Sequence, residues 1–82
     1  MGHARRRPKR LAAKLLQIRK TLGLSQREMA ERLGNKMNHK RVSRYERHTS
    51  VPAMEVVLAY ARVAKVTLEQ IVDDDSDLTL DL

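Results

Sequence analysis

Cysteine is absent from this 82-residue chain, as are tryptophan and phenylalanine, and there are only two prolines, two tyrosines and three glycines. Without cysteine there is no disulfide framework and no thiolate metal site, which is compatible with a reducing cytosol. Without Trp or Phe, an amphipathic helix has no bulky anchors for a lipid interface. Three dispersed glycines do not build a phosphate-cradling loop. No apolar run approaches the ~20 residues that cross a bilayer, and Lys14 interrupts LAAKLLQI too early for a signal-peptide core. His3, His39 and His48 have no ligand spacing, and no acid and base pair on one face of a predicted cleft. The expectation is a cytoplasmic protein with no enzymatic activity, no cofactor, no metal site and no membrane partner.

Acidic residues are scarce in only one half. Residues 1–49 hold 15 Lys and Arg against 3 Glu, a net +12; residues 50–82 hold 2 against 7, a net −5. A basic half of that density on one small domain favours nucleic acid over an acidic protein. A chain this short forms one domain of marginal stability, often supplemented by self-association.

The chain then reads as a basic arm (1–9), a helical domain (10–73) and an acidic tail (74–82). In the arm, Arg5, Arg6 and Arg7 precede Pro8 and show no apolar periodicity. Two readings stay open: a solvated tail, or an arm that follows phosphates or enters a minor groove. Leu11, Leu15, Ile18 and Leu22 give the core stripe of a first helix over about Lys9 to Thr21, stopped by Gly23. Lys14, Gln17 and Lys20 read as its solvent face. Ser25 with Glu28 is a capping box that starts a second helix, Gln26 to about Leu33, with Met29, Ala30 and Leu33 inward.

After turn residues Gly34, Asn35 and Asn38 comes a third helix, about His39 to Arg47, in which only Val42 and Tyr45 are candidates for burial. A helix so basic and so sparsely apolar is poor packing material. It suits insertion into a polyanion. Pro52 suits the first turn of a fourth helix with Met54, Val57, Leu58 and Ala61 inward. Thr67 with Gln70 is a second capping box and opens a short fifth helix. Beyond it, Asp residues at a helix C-terminus oppose the dipole, so order is expected to fade.

LGLSQREMAERLG, VSRYER and VPAMEVVLAYARVAKVTLEQIV resemble, in that order, the phage-repressor and Cro type of helix-turn-helix domain, the Xre-like family, over about Leu11 to Val72. The resemblance implies an all-α, five-helix lambda-repressor-like fold in which helices 2 and 3 read DNA. It places Gln26 against a phosphate at a helix N-terminus, and His39, Lys40 and Arg44 on base edges in the major groove, with Ser43 small enough for close approach. Asn38 becomes the cap of helix 3 and a phosphate contact, and Arg41 and Arg47 become phosphate ligands. Arg19 and Glu46 align with a pair that locks helix 1 to the end of helix 3. Two departures stand out. The turn after Gly34 is two residues longer than usual, through Asn35 and Lys36, so Met37 should plug the core and Lys36 gains a phosphate contact. His48 stands where the family commonly has glycine, and a different helix ending is expected there.

The implied function is sequence-specific binding of a double-stranded DNA operator by a homodimeric repressor or autoregulator, with helix 5, Val66, Leu78, Leu80 and Leu82 as the dimer surface. An alternative is an antitoxin that covers a basic toxin with its acidic tail while repressing its own operon. A restriction-modification controller protein is a related third reading.

Overall fold

The computed structural model describes residues 8–34 and 36–80. Its elements are α1 (Leu11–Leu22), α2 (Gln26–Leu33), α3 (His39–Glu46), α4 (Met54–Ala64) and α5 (Leu68–Val72), with no strand among the described residues. The arm arginines Arg5, Arg6 and Arg7, together with Asn35 and Leu82, lie outside the described residues. No described helix is long and apolar enough to cross a membrane.

Helix starts are fixed by short polar side chains. Ser25 Oγ accepts the Glu28 N–H at 3.0 Å while Glu28 accepts the Ser25 N–H at 2.8 Å, so two orphan donors are satisfied at once. Those contacts hold the Glu28 carboxyl below its ordinary pKa. Asn38 Oδ1 accepts the Arg41 N–H at 3.0 Å and starts α3. At α5 only half of the expected box exists: Thr67 Oγ1 accepts from Gln70 N–H, but Gln70 Oε1 is buried with no partner among the described residues. The α4 start also differs, because Ala53 is the N-cap and Pro52 sits buried just before it.

Three helices end alike. After α1, Gly23 N–H donates to Lys20 O and Leu24 N–H to Arg19 O, with Gly23 left-handed at φ 72°. After α3 the same pair runs from His48 to Tyr45 O and from Thr49 to Arg44 O, with His48 at φ 64°. The usual ending is therefore kept despite the histidine, and the strain of its Cβ is borne by the motif's two hydrogen bonds. Lys65, at φ 58°, ends α4 in that way too. Gly34 takes φ 70°, ψ −157°, a region open essentially to glycine alone.

The core is assembled from all five helices. Leu15, Ile18, Met29, Val42, Tyr60, Ala64 and Ile71 are fully buried, and each large aliphatic contributes about 1.5–3 kcal/mol by leaving water. Met37 packs half-buried at the margin. On α4 the inner face is Val56, Val57, Tyr60, Ala61 and Ala64, not the expected face that included Met54 and Leu58. Met54 is 60% exposed and Leu58 is half-buried. The only charged residues of the helix, Glu55 and Arg62, lie seven apart and mark the opposite, outward face.

Two further expectations are corrected where the chain closes on itself. Lys14 is not on a solvent face: it is 2% exposed, and its Nζ donates to Gln70 O, Asp73 O and Ser76 O, each at 2.7 Å. An ammonium has three protons and no acceptor, so three convergent carbonyls at the end of α5 satisfy it completely. Burial lowers its pKa, and Arg10 adds to the effect. Order also does not fade at Asp74. The segment Asp73–Leu80, here the strap, turns back to the start of α1, where Asp74 accepts the N–H groups of Lys9 and Arg10 at 2.9 Å each. Those aspartates oppose the dipole of α5 but complement that of α1, which has no side-chain cap and no acid in its own first turn. Arg10 reaches Asp77 at 3.0 Å, and Leu78 and Leu80 pack half-buried on the core.

Candidate nucleic-acid interface

Val42 is fully buried and Tyr45 is 4% exposed, and together they pin α3 to the core. A helix held by one stripe must turn its other side outward. That side carries Lys40, Arg44 and Arg47, all exposed, with His39, Arg41 and Ser43 half-buried between them. Gln26, His39, Lys40, Ser43, Arg44 and Arg47 line one open concavity of about 270 Å³ between the start of α2 and the outer face of α3. No carboxylate is among them. Every one of these six can donate a hydrogen bond, and three are cations, so the concavity is matched to an anion rich in acceptors.

The remaining expected residues surround this face without lining it. Arg41 follows the capped turn at Asn38; Asn38 and Lys36 are exposed on the α2–α3 connection, Lys36 in a left-handed conformation at φ 60°. No acid lies in the first turn of α3, so the positive end of its dipole is uncompensated within that turn.

Behind the face lies a polar lock. Arg19 Nε and Nη2 donate to the two oxygens of Glu46 at 2.7 and 3.1 Å, and Arg19 Nη1 donates to Leu24 O at 2.9 Å. Their side chains are 16% and 4% exposed. The hydrogen bond to Glu46 raises the arginine pKa above its ordinary value, against the opposing effect of burial. Glu46 also accepts from Gln26 Nε2 at 3.0 Å. The start of α2, the end of α3 and α1 are thus tied through one carboxylate, which fixes the angle at which α3 is presented. This contact with Glu46 goes beyond the resemblance, which sets Gln26 against a phosphate and against the first reading residue of α3. The Tyr60 hydroxyl is fully buried with no partner among the described residues, and burial first, then Glu46, raises its pKa.

Two helices meeting at a glycine-led turn, the second basic and outward, define a helix-turn-helix DNA-binding domain. The helix-turn-helix family model HTH_3 matches residues 15–71, and the chain belongs to that Xre/Cro-like family. The protein is accordingly a DNA-binding transcription regulator of the Xre/Cro type, and the family is one of regulators, not enzymes. Comparisons with curated proteins and with solved structures find no match.

Proposed function

We propose that this regulator is a sequence-specific repressor or autoregulator that binds a palindromic operator as a homodimer through the major groove. In this reading His39, Lys40, Ser43 and Arg44 meet base edges, while Gln26, Lys36, Asn38, Arg41 and Arg47 meet phosphates and the arm follows the backbone through Arg5, Arg6 and Arg7. The observation that carries it is the carboxylate-free concavity in which Gln26 and the outer side chains of α3 converge. Arg44 donates well to the O6 and N7 acceptors of guanine, and Arg47, at the end of the helix, suits a phosphate. A homodimer suits a module this small, since two copies related by a two-fold axis read half-sites about 34 Å apart.

Selection of bound duplexes from a random pool tests the reading by yielding sequence, palindromy and spacing together. With the selected site, Arg44→Ala should lose about 1–3 kcal/mol of discrimination between site variants, whereas Arg47→Ala should weaken all duplexes alike. Uniform losses from both would remove the base-reading role. The antitoxin alternative drew on a free acidic tail. Asp74 and Asp77 are engaged with Lys9 and Arg10, which leaves fewer of its carboxylates to a basic partner.

A further inference from the structure

The outward half of α4 carries Met54, Leu58, Ala59 and Val63 around two exposed charges, Glu55 and Arg62. Met54 and Val51 are the exposed large hydrophobics among the described residues, at 60% and 45%. Leu58, Ala59 and Val63 are half-buried beside them and, with Leu33 of α2, floor a groove of about 320 Å³ between α2 and α4. Arg32 of α2, Glu55 and Arg62 line the same groove, and none of the three has an ion-pair partner among the described residues.

The order of residues on this face has a symmetry that packing within one chain does not require. About the point between Leu58 and Ala59, Glu55 is the counterpart of Arg62, and Met54 is the counterpart of Val63. At about 100° per residue, Glu55 and Arg62 fall close to the centre line of the outward face, about two turns apart. Lay two copies of α4 antiparallel across a two-fold axis at that point, and each Glu55 meets the partner's Arg62 at the same height. The contact occurs twice, as a self-complementary interface demands. Leu58 and Ala59 then surround the axis, and Met54 and Val63 flank it.

We propose that this face of α4, with the α2 wall of the groove, is the surface on which two copies of this chain pair. The proposal names the dimer surface for the homodimer of the functional reading above and rests on that reading for its purpose. Of the surface expected from the sequence, Leu68 and Val72 of α5 with Val66, Leu78 and Leu80 are partly buried against this chain's own core, as Ala59 and Val63 are, and Leu82 lies outside the described residues. What sets the α4 face apart is the Glu55 and Arg62 arrangement. One helix face per partner is a small interface, so the free dimer is weak and DNA completes it.

The test is sedimentation equilibrium of the full chain at low salt without DNA, from about 10 μM to about 1 mM, the range in which small interfaces associate. The wild type dimerises reversibly. Glu55→Arg and Arg62→Glu each weaken the dimer about tenfold or more, because like charges then face one another. Combining them restores the constant to within about threefold of wild type. Both side chains are exposed, and Glu55→Gln and Arg62→Gln, which change shape least, weaken the dimer by less. A wild type that stays monomeric through the range, single reversals that associate normally, or a double variant no better than the singles overturns the proposal. The duplex selection separates this from the functional reading. Charge-swap rescue with no enriched duplex sinks the regulator and keeps the surface; an enriched palindrome bound equally well as a dimer by every variant does the reverse.

Discussion

In the α2–α3 unit each helix is capped from three residues away, Ser25 by way of Glu28 and Asn38 by way of Arg41. In contrast, the residues leading into α1 are held by Asp74, 64 residues beyond Arg10, and Lys14 of α1 is satisfied by carbonyls 56 to 62 residues away. The first unit is capped by local devices and tied to α1 by the Arg19–Glu46 lock. The second closes a ring through the whole chain, which joins the last helix to the first. The difference explains why α3 can be basic and outward without loosening the fold: its ends are capped and locked to Glu46, and its stability does not depend on the side chains it exposes.

The comparison breaks most visibly at Lys14. Lys14→Met keeps the apolar stem but removes the donor shared by three carbonyls. Asp73 O keeps Ser76 N–H and Ser76 O keeps Arg10 Nη1, whereas Gln70 O loses its partner, and the variant is expected to cost about 1–3 kcal/mol, read as the shift in a urea denaturation curve. The strap should then become accessible to protease while the Arg19–Glu46 lock persists. A loss under about 0.5 kcal/mol would mean that the ammonium is not what holds the ring closed.

Asp74→Asn sharpens the same contrast through pH. The N–H groups of Arg10 and Lys9 hold the Asp74 carboxyl below its ordinary value, so its contribution is present above the unfolded carboxylate range and disappears as pH falls through the lower folded value. Wild type should therefore melt higher than the variant at neutral pH, and the two should converge in strong acid. Curves that stay parallel across that range would remove the charge from the account. The smallest effect is expected on the α3 side. His48→Gly should raise stability by about 0.5–1 kcal/mol, since it relieves a left-handed Cβ at the cost of a more flexible unfolded chain. An unchanged or lowered melting temperature would show that His48 makes a contact that offsets its strain.

Legibility in the sequence follows the same division. Capping at Ser25 and Asn38, the core role of Val42 and the stop at Gly23 could be read because each depends on neighbours within one or two turns. Five helices with nearly their observed limits followed. The six residues of the concavity are ones the family resemblance points to, Gln26 at the start of α2 and the other five on α3. Lys14 was misplaced although a signal existed: it lies three residues after Leu11 and four before Ile18, on the buried stripe itself. Its charge was taken to override its position. Met54 failed although a signal existed there too: it adjoins Glu55, which with Arg62 seven residues on marks the outward face of an otherwise apolar helix.

What the residues alone determined was a basic, helical DNA reader, because capping, periodicity and charge act over distances of a few residues and are written in order along the chain. What only the tertiary structure decided was how that reader is closed and which face it leaves uncovered. The carbonyls around Lys14, the aspartate at the start of α1 and the outward half of α4 depend on segments far apart in sequence, and only the folded chain brings them together.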